Sequence, residues 1–519
     1  MSCATNASAV TSLPDGPLLF RRVEAFAERY RAHPLFTFLA GNAQRVYLVG
    51  GSVRDLLLDR PIHDLDFVVA RGAFKLAQDV AARFGGTLVP LDVERGIARV
   101  GWSRDAVPDG DALWKGALDF ADFQASTLED DLGSRDLTVN AMAIDVAALC
   151  DATSAEPQRG GVESLLRDPV DGCADLCAGL VRCPRVTVLD EDPLRVLRVV
   201  RFMCALGFEV EASTLAALRG RVARLSAVAG ERVRDEFFKI LGSNRAADGC
   251  VLLDAVGALA VLFPELESLR GLVQGGFHHV DAFEHSMLTL RAIDQDAIPT
   301  GCRGLPDPSA LFTWLDAESG GTRRTRLQSL RLAALLHDVG KSLTRHLSSD
   351  GCGVSYEGHA EAGVALAESV CERLRLSVRE RTLIAGAVRH HLVPLEMPPG
   401  TLAPRTMRRY FAEVGEGGVE TLLLALADSA AARGPKNTPA ARRALEERVR
   451  ALLTWRFGKA VAGCVPLVDG RTVCRVMQCR PGPVVGEWLD RLADEQADGT
   501  VTTRDEAVAW LELQREKAD

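Results

Sequence analysis

Residues 47–69 read YLVGGSVRDLLLDRPIHDLDFVV, and no other stretch limits the fold of this chain so tightly. A short β-rich apolar run ends on two glycines, a segment with helical spacing follows, and a second β-rich run carries Asp-x-Asp. That order predicts strand, glycine turn, short helix, strand. Further strand candidates in TLVPLDVERGIARVGW, GALDFADF and TVNAMAIDV make residues 45–150 a compact α/β unit with a mixed sheet. Before it, 1–44 reads as a disordered start and one leading helix. From about 185 the pattern turns helical: PLRVLRVVRFMCALG, STLAALRGRVARL and ERVRDEFFKILG carry apolar residues at helical spacing. The glycine, proline and polar residues of 294–330 predict an inserted loop. Helical blocks follow at 331–430 and 440–517, and 519 residues suit two to four domains.

The first stretch carries chemistry as well as shape. Two aspartates at i and i+2 of a strand share a face, so Asp64 and Asp66 present paired carboxylates. Such like charges need a cation between them, and hard oxygen ligands suit Mg²⁺. Gly50 and Gly51 let backbone N–H groups turn toward an anion at a helix start, and Ser52 and Arg54 add a hydroxyl and a guanidinium. Taken singly, the glycines are a tight turn and the aspartates a solvated strand end; together they suggest phosphate at one end and metal at the other. Asp119, on a neighbouring predicted strand, would complete a carboxylate triad. Arg135, Asp136 and Asn140 precede the strand of RDLTVNAMAID. In EDPLRVLRVVRF, Asp192 and Arg195 are expected one helical turn apart on one face, with Arg198 and Arg201 continuing the row. That row is either a surface ion-pair ladder or a reader of cytosine and adenine, whose edges pair an exocyclic amine with a ring acceptor.

Composition excludes several classes. No apolar run of 18 residues is available to span a bilayer, so no membrane partner is expected. The first residues lack the basic start and apolar stretch of a secretory signal, and thirteen cysteines scattered from Cys3 to Cys479 suit reduced thiols, which together predict a cytoplasmic protein. Cys173, Cys177 and Cys183 lack the paired spacing of a zinc site. A net charge of −9 argues against a uniformly basic nucleic-acid binder, but residues 182–245 hold twelve Lys or Arg against eight Asp or Glu, a local basic face able to follow a phosphate backbone.

GGSVRDLLLDRPIHDLDFVV, RDLTVNAMAID and EDPLRVLRVVRF, in that order, resemble the head and neck motifs of class II tRNA nucleotidyltransferases and bacterial poly(A) polymerases. The likeness continues through ERVRDEFFKIL and LFPELESLRGLVQ to about residue 275. It implies an α/β nucleotidyltransferase-fold head followed by all-α neck, HD and tail domains, growing a tRNA 3′ end from CTP and ATP without a nucleic-acid template. Under that resemblance Asp64, Asp66 and Asp119 are catalytic, the first two holding Mg²⁺. Gly50, Gly51, Ser52 and Arg54 embrace the triphosphate, Asp192 and Arg195 read the base, and Asp136, Asn140 and Arg198 complete the nucleotide-binding set.

The second helical block holds His285, the pair His337-Asp338 in LLHDVGK, His359, the neighbours His390 and His391, and Asp428. Histidines and aspartates gathered from several helices suit a divalent transition metal. The ordered set resembles the HD phosphohydrolase superfamily over roughly 275–435, implying ligands His285, His337, Asp338 and Asp428, with His359 and His391 (or His390) free for a second ion. The expected organisation is an extension at 1–44, a catalytic head at 45–150, a neck at 151–275, an HD domain at 276–435 and a helical tail at 436–519.

Two departures from the family pattern stand out. Gln124 occupies a place where an arginine is common, and the stretch from Asp119 to Arg135 is too short for the flexible loop usual in enzymes that add complete CCA. The reading is therefore a tRNA nucleotidyltransferase adding C and/or A, with CC addition as one outcome. A poly(A) polymerase, a pure HD phosphohydrolase and a non-catalytic RNA-binding protein are its rivals.

Overall fold

The opening stretch folds as its pattern predicts: β1 (Val46–Val49), helix α1 (Gly51–Leu57) and β2 (Leu65–Val69). The computed structural model describes residues 13–62, 64–102, 116–151, 165–319, 321–347, 353–398, 400–458 and 466–518, in two units divided after Val228. The expected disordered start lies largely outside the described residues.

In the first unit, β3 (Thr87–Asp92), β4 (Ile97–Gly101), β5 (Leu118–Asp122), β6 (Ala143–Asp145) and β7 (Leu166–Arg167) complete a seven-stranded sheet ordered β3-β4-β5-β2-β1-β6-β7. Among the described residues of this sheet only β2 and β5 run parallel; the other neighbours are antiparallel, which makes it a mixed sheet. Strand alternation turns Leu65 and Phe67 of β2 and Leu118 and Phe120 of β5 into the core, where Phe67 and Phe120 stack at 5.3 Å and Phe36 meets Phe67 edge-on. Asp66 and Asp119 therefore point to the other face. There Val49, Val68, Ala141 and Ala143 pack beneath the short helix Leu128–Gly133.

The single leading helix expected before the head is two, Gly16–Tyr30 and Pro34–Ala40. A residue before proline is pushed out of the helical region, so His33 turns extended and caps the second helix with its ring. The same rule corrects the expectation that Asp192 and Arg195 lie one turn apart on one helix. Asp192 precedes Pro193 and is extended (φ −143°, ψ 107°), so the helix begins only at Arg195 and runs to Leu206. Gly207, at φ +77°, ends it in the left-handed region.

The second unit is helical apart from one two-stranded ribbon, His346–Leu347 with Val354–Ser355, among the described residues. The loop expected over 294–330 is instead mostly helix: a π-turn at Ile293–Ala297, then Ile298–Cys302 and Pro308–Asp316. Its punctuating residues are used within helices. Asp307 caps and Pro308 opens the third piece, and a Cβ on Gly301 would stand 2.9 Å from Leu423. Capping boxes at Thr325/Gln328 and Ser377/Glu380 start the helices Arg326–Leu336 and Val378–His390. Buried Arg326 fixes the first of these against Glu420 of helix Gly418–Ala431 through two bonds of 2.6 and 3.0 Å. The last four helices, from Pro439–Phe457 to Arg504–Ala518, follow the expected tail block. No described helix is long and apolar enough to cross a membrane.

Candidate functional site

Two groups of side chains stand apart chemically, one in each unit. In the first unit, Asp64 immediately precedes β2, Asp66 lies within it, and Asp119 sits opposite Asp66 in the parallel register of β2 and β5. Burial, then the nearby Asp119, raises the Asp66 carboxyl to about 6, with Asp64 adding to the rise and Arg135 opposing it. Asp64 accepts a bond from the Ala117 N–H at 2.9 Å. Asp119 is gripped by Arg99, whose Nε and Nη2 donate to its two oxygens at 2.7 and 2.8 Å. Sequence reading missed Arg99. The pattern that could have found it is strand pairing, because Arg99 of β4 is the register partner of Asp119.

The double glycine turns beside this face. Gly50 has φ +73°, a conformation that demands glycine, and a Cβ there would press only on the end of the Arg135 side chain, 3.0 Å from its Nη1. Gly51 starts α1. The Ser52 hydroxyl donates to the Asp64 carbonyl at 3.0 Å and accepts from the Asp66 N–H at 3.1 Å, tying the helix start to the strand that carries the aspartates. Arg54 donates to Asn140 Oδ1 at 2.6 Å, Asn140 donates to Asp136 Oδ1 at 3.1 Å, and Asp136 Oδ2 accepts from Arg198 Nε at 2.7 Å. Burial opposes ionisation of Asp136, yet Arg198, Asn140 and Arg201 together hold it below the usual carboxylate range. These four predicted residues thus form one connected chain, and Phe202 lies under the guanidiniums of Arg54, Arg198 and Arg201. The predicted pair Asp192 and Arg195 is not joined in this way. Asp192 caps the Leu194 N–H at 3.1 Å, and Arg195 donates to the Val188 carbonyl at 3.0 Å and to Glu191 at 3.1 Å. Gln124 donates to the carbonyls of Asp122 and Arg95.

In the second unit, five helices bring six predicted residues together. His285 lies on helix Ala282–Ala292, His337 and Asp338 follow Arg326–Leu336, and His359 opens His359–Arg373. His391 ends Val378–His390 and Asp428 sits on Gly418–Ala431. His285, His337 and Asp338 form one group able to hold a metal ion, and Asp338, His359 and His391 form another. Asp428 accepts or shares a proton with His285 Nε2 at 2.8 Å and stands 4.0 Å from His337 Nε2. Of the two neighbouring histidines, His391 reaches the cluster.

The donor set fits a cation on its own chemistry. His337, His359 and His391 each place Nδ1 on the carbonyl three residues earlier, at 2.9, 2.7 and 2.7 Å. A carbonyl can only accept, so Nδ1 carries a proton in each ring and Nε2 of His359 and His391 is left to offer a lone pair inward, while Asp338, 3.2 Å from His337 Nε2, pushes His337 toward its charged form in spite of burial. His359 Nε2 and His391 Nε2 then face each other at 3.3 Å, and buried His337 Nε2 makes no hydrogen bond. Burial, with His337 adding to it, pushes His391 down to about 3, while ion pairing with His337 and Lys341 holds Asp338 well below its ordinary value in spite of burial. Facing lone pairs around a carboxylate are what a divalent ion relieves.

Three neighbours escaped sequence reading. Lys341 donates to Asp338 Oδ2 at 2.6 Å and to Gln274, and the His278 ring stands 4.3 Å from that of His285 with a buried, unbonded Nδ1. Lys341 stood in the quoted LLHDVGK and Gln274 at the end of the quoted LFPELESLRGLVQ; His278 lies in a segment with no periodicity to mark it.

A mixed-sheet head with an aspartate triad, joined to helices that assemble a His/Asp metal group, defines a nucleotidyltransferase with an HD domain. Residues 46–182 match the Poly A polymerase head domain family, 207–269 the family described as probable RNA and SrmB-binding site of polymerase A, and 310–433 the HD domain. The chain is 34% identical over 490 residues to an A-adding tRNA nucleotidyltransferase of Deinococcus radiodurans, covering 93% of this chain and 97% of the relative. It is also 34% identical over 491 residues to a CC-adding tRNA nucleotidyltransferase of Thermus thermophilus, covering 92% and 95%. Among solved structures, a Thermotoga maritima CCA-adding enzyme complexed with tRNA shares the fold at a TM-score of 0.59 and 21% identity, over 94% of this chain and 98% of that one. The chain belongs to the tRNA nucleotidyltransferase family.

Proposed function

We propose that this enzyme extends the 3′ end of tRNA with cytidines from CTP and stops before the terminal adenosine. The observation that carries the reading is the connection after the third carboxylate. β5 ends at Asp122 and the next helix starts at Leu128, so five residues join them. Three of the five are tied down: Phe123 N–H bonds to the Val69 carbonyl, Gln124 N–H to Asp131, and Thr127 caps the helix. Reading adenine after cytosine requires moving donors and acceptors to fit a larger ring, and a short pinned link leaves no lever for that movement. The Thermus thermophilus relative is CC-adding, which agrees; the Deinococcus radiodurans relative is A-adding, which makes adenosine addition the outcome to test against.

In this reading Asp64, Asp66 and Asp119 hold Mg²⁺, which when bound activates the RNA 3′-hydroxyl and stabilises the pyrophosphate leaving group. Gly50 and Gly51 leave room for the triphosphate against the backbone, Ser52 holds the turn to β2, and Arg54 faces the phosphates from its place on Asn140. Asp136, Asn140 and Arg198 keep that arginine oriented. Asp192 accepts from the cytosine amine and Arg195, anchored by Val188 and Glu191, donates to the ring. The basic stretch 182–245 follows the tRNA backbone. The His/Asp group of the HD domain supports a second, metal-dependent phosphohydrolase activity, with a transition metal suited to its imidazole ligands.

A tRNA ending at its discriminator base, given CTP and ATP together, gains two cytidines and no adenosine. Addition of adenosines alone to a generic RNA would establish a poly(A) polymerase instead, and binding without incorporation a non-catalytic protein.

A further inference from the structure

The Arg99–Asp119 contact has a consequence beyond holding two strands. Arg99 Nε and Nη2 take both oxygens of Asp119, the third carboxylate of the triad, so no oxygen of that group is without a cationic donor. Simple sheet cohesion does not require this, because β4 and β5 are already paired through their backbones at Arg99↔Asp119. Asp64 and Asp66 also act electrostatically on Arg99, although Arg135 is the stronger cationic neighbour of Asp66, so the grip of Arg99 is centred on Asp119. Its side chain is 41% exposed, against 23% for Asp119, so it has solvent to move into.

We infer that Arg99 is the built-in counter-ion of the triad: it neutralises Asp119 while no divalent cation is bound and releases that carboxylate when one binds. It is a positioning residue, acting through Asp119. The inference rests on the reading of Asp64, Asp66 and Asp119 as cation ligands. It implies that cation affinity is set by competition, since a divalent ion must displace a bidentate ion pair to gain its third carboxylate.

The test is Mn²⁺ affinity of the full-length chain without nucleotide, followed by electron paramagnetic resonance, with Asp66→Ala as the reference that removes the head sites from the count. Arg99→Gln should bind Mn²⁺ at the head on the order of tenfold more tightly than wild type, because a neighbouring positive charge is gone. Arg99→Lys, which keeps the charge but loses the two-pronged grip, should fall between them and guards against misfolding of the neutral variant. Unchanged or weaker affinity in both variants overturns the inference and makes Arg99 a structural strand clamp or an ordering aid. If Asp66→Ala loses no Mn²⁺ site relative to wild type, the ligand reading itself fails, a result distinct from failure of the Arg99 competition.

Discussion

Asp66 and Asp119 stand opposite one another in parallel register on β2 and β5, and the burial of Asp66 beside Asp119 raises its carboxyl from 3.8 to about 6. Burial first and the neighbouring Asp119 second thus put the ionised form of Asp66 under stress.

That stress has a pH signature. The folded state binds the Asp66 proton more tightly than the unfolded chain, so its contribution to stability is full below about pH 4 and lost as the pH rises through about 6. Asp66→Asn in divalent-free buffer is therefore expected to be more stable than wild type at pH 7.5, by about 1–3 kcal/mol, with the gain disappearing toward pH 4. Thermal unfolding across that range checks it, and added Mg²⁺ should narrow the difference by stabilising wild type alone.

Either Asp64→Ala or Asp66→Ala should lower nucleotide addition by roughly 10²–10³-fold or more while leaving tRNA binding nearly intact, since one remaining carboxylate loses the preorganised charge on which the chemistry depends. Incorporation assays and a tRNA filter-binding titration separate the two effects. Full incorporation by either variant contradicts the assignment of the triad.

The Arg54–Asn140–Asp136–Arg198 chain is a partly buried network in which each member has a partner. Asp136→Ala removes the carboxylate that both Arg198 and Asn140 donate to, with an expected loss of about 1–3 kcal/mol of stability. A KM for CTP that rises in the variant at temperatures where it remains folded would place the chain in nucleotide binding as well as in packing.

The sheet, and which of the candidate residues come together, were legible because strand patterning and motif order act locally. GGSVRDLL had to turn and Asp-x-Asp had to share a face. What escaped lies where a distant or neighbouring residue decides. Pro193 moved Asp192 out of the helix shared on paper with Arg195, and His33-Pro34 split one helix into two. In 294–330, Pro308 and Gly301 opened and packed helices instead of breaking them. Arg99 and His278 came to the two sites by strand register and by a turn ahead of His285, and neither placement has a signature in its own stretch of sequence.

In the HD domain, Gly340 lies so close to the helix His359–Arg373 that a Cβ would stand 2.0 Å from the His359 carbonyl and 2.5 Å from the Gly363 nitrogen. Gly340→Ala should displace His359 from Asp338, costing about 1–3 kcal/mol as an overpacked substitution does, and lowering metal content. Metal analysis of the purified variant beside its unfolding curve reads both.

His337→Ala combined with Asp338→Ala should remove any metal-dependent phosphodiester or phosphatase activity and spare nucleotide addition, because these ligands and the aspartate triad belong to separate units. Loss of nucleotide addition in a folded double variant would show the two sites to be coupled.

The most direct measurement offers ATP to a tRNA already ending in CC, beside the same tRNA lacking all three terminal nucleotides and given CTP with ATP, with the products sequenced. A chain with only five residues between Asp122 and Leu128, three of them pinned, should leave the first tRNA unextended and add two cytidines to the second. Efficient addition of a single adenosine to the tRNA ending in CC would contradict this account and place base selection elsewhere than in that short link.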